Sequence, residues 1–315
     1  MPERGEVRIG VSGWTYGGWR GKFYPEQLPH KQELSYAAQI FRSIEINGTF
    51  YSLQRPSTFA KWAAATPEDF VFAIKGSRFI THVQRLKEIR APLANFFASG
   101  LLRLGSKLGP FLWQLPPNFK FDAKRIESFF KALPRDTQSA RALARRHDKR
   151  VSGRAWMKSD EDRPLRHCLE IRNRSFVVPE FIELLRAYGV GLVCADTVEW
   201  PRLMDLTSDF MYCRLHGSEQ LYASGYDDAA LDRWAARVVA WAGGGEPKDA
   251  ERVIDEPGPR APSRDVYVYF DNDAKVRAPF DAQGLMARVE KLSLPAPKSP
   301  SSHAKSEPQR RRKSA

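Results

Sequence analysis

Polar and charged residues end several apolar runs of this sequence, at positions where a buried strand would stop. Glu45 and Asn47 end one run, and Glu170 and Arg172 end another. Side chains two residues apart lie on the same face of a strand, so each pair points in one direction. Carboxylates that lie close to cations can take up and release protons when their surroundings push the pKa values apart. The pattern therefore predicts acid–base chemistry on a small molecule.

Four of these side chains are candidates for proton transfer: Glu45, Glu170, Asp196 and His216. Either Glu45 or Glu170 would be the general base, with His216 as its acid partner. A larger group would bind the substrate, and its Lys and Arg side chains would hold an anionic part of it. This predicted binding group comprises Trp14, Asn47, Thr49, Lys75, His82, Gln114, Arg172, Arg214, Tyr226 and Asn272.

The elements that must position these residues are eight short apolar runs with helical patterns between most of them. Strands that alternate with helices pair in parallel, and eight such units predict an α/β fold of the closed (β/α)₈ TIM-barrel type, where chemistry takes place at the C-terminal ends of the strands. No G-x-G-x-x-G follows the first strand, which argues against an open doubly wound sheet. The strands are predicted to begin at Val7, Ser43, Phe70, Gly109, His167, Gly189, Asp209 and Asp265, and the helices to span 32–41, 55–66, 121–133, 179–189, 227–245 and 281–292.

A structural alternative is that the charges at the strand ends only neutralise one another. Lys75 could pair with Glu45, and Arg172 could lie beside Asp196. Such buried pairs contribute little stability, because the cost of removing both charges from water offsets their attraction. So many polar strand ends at once therefore favour a functional pocket.

Two other functions remain open alongside the acid–base enzyme. A metal-dependent phosphodiester enzyme or nucleic-acid binder could take its ligands from the carboxylates and imidazoles at the strand ends. No H-E-x-x-H spacing occurs, and the neighbouring Lys and Arg disfavour a bound cation, so we predict no metal ligand and name no cofactor. The third possibility is a barrel without catalytic activity that binds a ligand or a partner protein. The metal alternative would use Glu45, Glu170, Asp196, His82 and His216.

The overall charge bears on the partners of the protein. The 50 Lys and Arg exceed the 37 Asp and Glu, which gives a net charge of +13 at pH 7. This excess favours anionic partners, so we expect an anionic small-molecule substrate and keep nucleic acid as a possible partner. No apolar run approaches the length of a membrane span, and the N-terminus lacks an apolar signal core, so we expect a cytoplasmic protein that does not bind membranes. The oligomeric state is left open.

The domain organisation is predicted to be simple. Residues 1–294 would form one barrel domain, with an insertion at about 138–166 before the fifth strand. Residues 295–315 are rich in Pro, Ser, Lys and Arg and should form a disordered basic tail. We interpret this tail as a solubilising end, and an electrostatic tether to nucleic acid is the alternative.

Seven blocks in order resemble the domain-of-unknown-function 72 family, also called the YecE-like family. They are "IGVSGWTYGGWRGKFYP", "EINGTFYSL", "FAIKGSRFITH", "LGPFLWQLPP", "LEIRNRSF", "RLHG" and "VYVYFDND", and the resemblance runs from about Ile9 to about Leu292. It implies a TIM barrel and brings no catalytic residues, because the activity of the family is unassigned. This sequence has Gly48 where the family commonly has Ser, and Asp271 where it commonly has Asn; the second change adds a carboxylate.

Overall fold

The computed structural model describes residues 4–217, 219 and 221–293, and the predicted tail at 295–315 lies outside them. Eight parallel strands form a closed barrel in which each strand pairs with its neighbours in sequence and β8 pairs with β1. The predicted TIM-barrel fold is therefore confirmed. The strands are β1 (Val7–Ser12), β2 (Ser43–Ile46), β3 (Val71–Lys75), β4 (Leu108–Gln114), β5 (His167–Glu170), β6 (Gly191–Asp196), β7 (Phe210–Leu215) and β8 (Asp265–Phe270).

Helices surround the barrel; five of the six predicted helical segments contain one, and the sixth, 281–292, lies within a slightly longer helix. Asp122 caps the helix in the segment 121–133, since its Oδ1 accepts a hydrogen bond from the backbone N–H of Arg125 over 3.1 Å. The helices are α1 (Glu33–Ile40), α2 (Gly48–Tyr51), α3 (Pro56–Ala64), α4 (Arg90–Ala98), α5 (Ala123–Ala132), α6 (Thr137–Ala144), α7 (Pro179–Ala187), α8 (Asp228–Ala242) and α9 (Ala278–Ser293). Short 3₁₀ turns span Gly17–Trp19, His30–Gln32, Leu101–Lys107 and Arg174–Phe176, and a π-helical turn spans Phe79–Val83.

The segment at 138–166 is the last part of the connection between β4 and β5. It begins within α6, where Asp136 and Ser139 form a reciprocal capping box. Its later part is largely irregular but is packed on the barrel: Val151 is fully buried, and the backbone N–H of Trp156 donates to the carbonyl of Ala98 at the end of α4. Among the described residues, no helix is long and apolar enough to cross a membrane.

Two apolar cores lie on opposite faces of the strands. The outer core fills the space between the strands and the helices, and a smaller inner core fills the lower part of the barrel. Alternate residues of each strand face inward, so the inner face of β7 presents Phe210, Tyr212 and then Arg214 in order toward its C-terminal end. The inner core consists of Ala73, Leu112, Cys168, Val193, Phe210, Tyr212, Tyr267 and Tyr269. The interior is thus apolar below and charged above.

Candidate active site

Arg214 occupies the centre of the charged layer at the top of the barrel and is fully buried. Its Nη2 donates to Glu45 Oε1 over 2.9 Å and to Asp271 Oδ2 over 2.8 Å, and its Nη1 donates to Glu170 Oε2 over 2.8 Å. Three carboxylates from three strands or strand ends therefore converge on one guanidinium. Arg214 was predicted to bind an anionic part of the substrate. Because it has no exposed surface, it instead neutralises the three carboxylates of this cluster.

Glu45 and Glu170 are separated from solvent by the side chains that donate hydrogen bonds to them. Glu45 also accepts hydrogen bonds from the hydroxyls of Ser12 (2.7 Å) and Tyr212 (2.6 Å). Burial opposes the ionisation of Glu170, but the charges of Arg172 and Arg214 outweigh it and hold the pKa of Glu170 well below its usual range. Both glutamates are fully buried and accept hydrogen bonds from Arg214, so they hold this guanidinium without reaching the cavity surface.

His216 lies beside this cluster and is also fully buried. Its Nδ1 is 3.3 Å from Asp271 Oδ2, and its ring packs at right angles to Tyr222, with 5.3 Å between the centroids. Burial lowers the pKa of His216, although the hydrogen bond to Asp271 opposes this effect. The imidazole is brought to the predicted place, underneath Asp271, but it does not line the cavity above.

An open cavity of about 770 Å³ lies above the charged cluster, at the C-terminal ends of the strands. This is the end of a TIM barrel where active sites are found. Six residues of the predicted binding group contribute to its wall: Trp14, Asn47, Lys75, His82, Gln114 and Arg172. The rest of the wall consists of Gly13, Thr15, Tyr16, Ile46, Gly48, Phe50, Tyr51, Gln54, Trp62, Arg78, Tyr222 and Asp271.

Lys75 is the basic side chain at the inner end of this cavity. It is 8% exposed, and its Nζ lies 4.6 Å from the centroid of the Phe50 ring. Among the described residues, no side chain forms a hydrogen bond or an ion pair with this Nζ. The pairing with Glu45 that the structural alternative invoked is not observed, and Arg214 occupies that carboxylate. Burial, reinforced by the charge of Arg214, lowers the pKa of Lys75 to about 8.

Arg172 forms one side wall of the cavity. Its Nε donates to Glu170 Oε1 over 2.8 Å, and its Nη2 donates to the Tyr222 hydroxyl over 3.2 Å. Its guanidinium also stacks on Trp200, 4.1 Å from the ring centroid. These contacts fix the side chain, and since a guanidinium has five N–H donors, others remain for a ligand. Gln114 completes this wall and donates from Nε2 to Glu170 Oε1 over 2.9 Å.

His82 reaches the cavity from the π-helical turn Phe79–Val83. Its Nδ1 lies 2.9 Å from the hydroxyl of Thr81, and its ring packs edge-on against Phe50. Burial and the positive charges of Arg172 and Lys75 lower the pKa of His82 to about 4. The imidazole is therefore neutral at pH 7 and can exchange hydrogen bonds with a ligand. Single π-turns of this kind are frequent at functional sites.

Besides the buried Glu45, Glu170, Arg214 and His216, four further predicted site residues lie outside the cavity wall. Asp196 is on the outer face of β6, where it accepts hydrogen bonds from Trp234 Nε1 (3.1 Å) and Arg202 Nη1 (2.8 Å). Asn272 likewise turns outward and donates to Asp281 Oδ2 over 2.7 Å. The strand alternation explains both, because Cys194 before Asp196 and Phe270 before Asn272 belong to the outer core.

The other two are Thr49 and Tyr226, whose hydroxyls form hydrogen bonds with backbone groups. The hydroxyl of Thr49 donates to the carbonyls of Ile46 and Lys75, over 3.0 and 2.7 Å, and so ties the end of β2 to the end of β3. The hydroxyl of Tyr226 accepts a hydrogen bond from the backbone N–H of Gly217 over 3.1 Å. Both residues hold the rim of the barrel in place.

Several cavity residues were absent from the predicted site. Asp271 had a usable signal, because it follows Tyr269 by two positions and therefore shares the inner face of β8. Arg78, Tyr222 and Tyr51 lie in loops or short helical turns, where no strand periodicity reveals the direction of a side chain. Trp62 lies on α3, where helical spacing alone does not distinguish packing from a binding role; it lines the cavity and meets Trp14 edge-on, with 5.3 Å between the ring centroids.

The carboxylates of the site are arranged around a cation that belongs to the protein. Among residues 4–217, 219 and 221–293, no group of three or more His, Cys, Asp or Glu side chains could hold a metal ion. Glu45, Glu170 and Asp271 point at Arg214 instead of at an open position. These three carboxylates therefore bind the guanidinium of Arg214.

Comparisons with known proteins place the chain among relatives that share this fold. A family model described as "Protein of unknown function DUF72" matches residues 8–304. UPF0759 protein YunF of Bacillus subtilis (strain 168) is 27% identical over 183 residues, 56% of this chain and 54% of that protein. UPF0759 protein YecE of Escherichia coli (strain K12) is 27% identical over 113 residues, 36% of this chain and 39% of that protein. The matches thus span about half or less of these relatives' lengths.

Solved structures extend the likeness to the whole fold. A DUF72 family protein from Thermotoga maritima MSB8 superposes with a TM-score of 0.68 at 24% identity, covering 90% of this chain and 99% of that chain. A DUF72 family protein from Enterococcus faecalis V583 superposes with a TM-score of 0.61 at 16% identity, covering 93% of this chain and all of that chain. At these identities the likeness concerns the fold alone.

Proposed function

Because this chain belongs to the DUF72 family, whose description assigns no activity, we propose a function from the cavity itself: an enzyme that transfers protons on an anionic, phosphorylated sugar-like substrate. The observation that carries the proposal is Lys75. It is a largely buried ammonium at the cavity wall, and within the described part of the chain it has no acidic partner. A buried charge left without a partner costs stability, so its presence calls for a function.

The charge of the cavity wall suits an anionic substrate. Lys75, Arg78 and Arg172 line it, and Asp271 is the carboxylate that lines it among the described residues. Asp271 is already neutralised by Arg214, over 2.8 Å. The wall therefore presents more positive than negative charge, and guanidinium and ammonium groups are the usual partners of phosphate.

The aromatic part of the wall suits a ring. Trp14 and Trp62 meet edge-on at one side of the cavity, and Tyr51, which is 69% exposed, stands at its rim. Ligand sites typically combine such apolar surfaces with a few polar groups that fix orientation. A sugar ring can pack its C–H face on these aromatic groups while a phosphate meets the cations. The cavity volume of about 770 Å³ is within the range of small-molecule sites.

Lys75 also takes the role of the acid–base group. Its pKa of about 8 lies near neutral pH, where proton transfer is most efficient. As a neutral amine, Nζ accepts a proton from the substrate, and as an ammonium it returns one. The catalytic roles expected for Glu45, Glu170 and His216 move to Lys75, because those three side chains are buried beneath the cavity.

The other candidate functions have less support. A metal-dependent phosphodiester enzyme would need carboxylates that converge on an open position, whereas these converge on Arg214. Nucleic acid binding is favoured by the net charge of +13 alone. A barrel without catalytic activity would bind the same ligands without moving protons, which an experiment can distinguish.

The first test measures binding and proton transfer together. Ribose 5-phosphate, glucose 6-phosphate and their unphosphorylated sugars would be titrated by calorimetry, and exchange of substrate C–H protons in D₂O would be followed by NMR. We expect at least one phosphorylated sugar to bind to the wild type. The wild type should also catalyse exchange of a C–H proton of this sugar with D₂O, whereas Lys75→Met should not. Arg78→Met should weaken binding about tenfold, as the loss of one charge-assisted hydrogen bond does.

The matched control is Arg233→Met, which removes an exposed arginine on the outer helix α8 and should leave both measurements unchanged. Binding without proton exchange would favour the non-catalytic barrel. Equal affinity for phosphorylated and unphosphorylated sugars would contradict the anionic substrate.

A further inference from the structure

We infer that the amine of Lys75 bonds covalently to its substrate as an iminium, so that the substrate carries an aldehyde or ketone group as well as its anionic group. This inference rests on the proposed function of the same cavity and narrows its substrate class. A side chain that attacks a carbonyl must reach the substrate, be free of other partners and be held in place. Within the part of the chain that the structure describes, Lys75 meets all three conditions.

The position of Lys75 is fixed from its backbone. Lys75 is the last residue of β3, and its carbonyl accepts a hydrogen bond from the hydroxyl of Thr49 over 2.7 Å. The side chain runs along Phe50, whose ring centroid lies 4.6 Å from Nζ. Only 8% of the residue is exposed, and this exposure is toward the cavity that it lines.

The amine is free because other cations satisfy the nearby carboxylates. Arg214 engages Glu45, Glu170 and Asp271, and Arg172 engages Glu170 a second time. In the part of the chain that the structure describes, no ion pair would have to break before Nζ moves toward a carbonyl carbon. A lysine whose only purpose was charge balance would be expected to touch one of these carboxylates.

The surroundings also favour the reactive form. A lysine is made nucleophilic by desolvation and by a neighbouring cation, and both act here. Burial and the charge of Arg214 lower the pKa of Lys75 to about 8, so a sizeable fraction is neutral near that pH. The charged and titratable groups that face Lys75 are Arg214, Asp271, Glu45 and Glu170, with Arg78, Arg172 and His82 around the same cavity.

The step balances without a redox partner. The lone pair of the neutral amine forms a bond to the carbonyl carbon, and the π electrons of the C=O bond move to oxygen, which takes up a proton. Loss of this oxygen as water leaves a C=N⁺ bond. Overall, one ammonium and one carbonyl give one iminium and one water. The iminium keeps the single positive charge of the ammonium, so the net charge of the site does not change and the ion pairs of Arg214 with the three carboxylates need not rearrange.

The iminium then explains why a proton-transfer site would contain a lysine. Its positive nitrogen withdraws electrons from the adjacent carbon, which makes a neighbouring C–H or C–C bond easier to break. Water can hydrolyse the product iminium, returning the free amine. Proton exchange on the substrate, the readout of the proposed function, would then pass through this covalent state.

Reductive trapping tests the inference directly. The full chain would be incubated with dihydroxyacetone phosphate, or with uncharged glycolaldehyde, in the presence of sodium cyanoborohydride. This reagent delivers hydride to the C=N⁺ carbon and converts the iminium to a stable secondary amine. Peptide mass spectrometry then locates the adduct. At pH 7.5 we expect Lys75 to be labelled at least about tenfold faster than exposed Lys124, because more of it is neutral.

Variants make the result specific. Lys75→Met and Lys75→Arg should lose the fast-labelled site, and the Lys124→Met control should keep it. The rate of labelling at Lys75 should rise from pH 6 to pH 8 and then level off. Labelling of Lys75 at the same rate as exposed lysines would overturn the inference, whichever probe is used.

The outcomes separate this inference from the proposed function. If dihydroxyacetone phosphate or another sugar phosphate binds but labels no residue quickly, the iminium is wrong and the anionic ligand site stands. If glycolaldehyde labels Lys75 quickly but no phosphorylated compound binds, the reactive amine stands and the anionic substrate is wrong. Fast labelling of Lys75 by both probes supports both.

Discussion

At the scale of single residues, two cations at the top of the barrel differ in what surrounds them. Arg214 is enclosed by carboxylates, and removing one partner of such a buried cluster typically costs about 3–5 kcal/mol. Lys75 is nearly as buried but lacks an acidic partner among the described residues. The first side chain neutralises the carboxylates around it, and the second is the one for which we propose a role in the chemistry of the cavity.

This contrast predicts that Lys75→Met stabilises the protein at neutral pH. The pKa of Lys75 is lower in the folded chain than in the unfolded chain, so its charged form destabilises the folded state below about pH 8. Since one pKa unit corresponds to about 1.4 kcal/mol and the pKa falls from 10.5 to about 8, we expect the free energy of unfolding at pH 7 to rise by about 3 kcal/mol. The gain should shrink as the pH rises from 8 toward 10, because Lys75 then becomes neutral in the folded wild type.

Urea unfolding of the wild type and of Lys75→Met at pH 7 and pH 10 measures this difference. Lys124→Met, on the exposed side of α5, should change the free energy of unfolding by less than about 0.5 kcal/mol. A loss of stability in Lys75→Met at pH 7 would mean that the ammonium is paired in the folded protein, and the proposed roles of Lys75 would fail.

At the scale of elements, the site depends on close pairing of the strands. β1 and β2 approach each other closely at Gly10, which pairs with Ser43. A Cβ atom on Gly10 would lie 1.9 Å from the carbonyl oxygen of Ser43. Two residues further along the same face, Ser12 donates to Glu45. The pairing of β1 with β2 therefore places one of the groups that hold the central glutamate.

Gly10→Ala should consequently destabilise the barrel, by about 2 kcal/mol or more, because the backbone of one strand must shift. Thermal unfolding followed by circular dichroism measures the loss. Gly17→Ala is the control, since a Cβ there meets nothing within 4 Å. If both substitutions shift the unfolding midpoint equally, the close approach of β1 and β2 does not determine stability.

At the scale of the whole molecule, charge is divided between the barrel and the chain end. Lys and Arg account for six of the last 21 residues, at positions 298, 305 and 310–313, and the sole acid there is Glu307. This end contains almost no apolar residue that could join a core. In contrast, the described residues that line the cavity all lie between Gly13 and Asp271.

We therefore expect deletion of residues 295–315 to leave the unfolding midpoint and the binding of sugar phosphates unchanged. Differential scanning calorimetry and ligand titration measure both. Affinity for a DNA oligonucleotide, followed by fluorescence anisotropy between 50 and 200 mM salt, tests the alternative role. If the full chain binds DNA with a steep salt dependence and the shortened chain does not, this end is a tether to nucleic acid instead of a solubilising segment.

The sequence by itself determined the framework of this protein. Apolar runs alternating with helical patterns predicted the eight strands and their barrel, and period-two alternation placed Glu45, Lys75, Glu170 and Arg214 on inner faces. These features depend on local periodicity, which is readable along the chain. The same alternation explains why Asp271 faces the interior of the barrel, whereas Asn272 and Asp196 face outward.

Only the tertiary structure decided what each of these side chains does. Arg214 is 169 residues from Glu45 and 44 from Glu170, yet it binds both and withdraws them from any ligand. Lys75 forms no ion pair with these carboxylates among the described residues, because Arg214 already neutralises their charge. Which cation takes which carboxylate depends on distances and desolvation across the closed barrel, and these quantities do not exist until the strands have met.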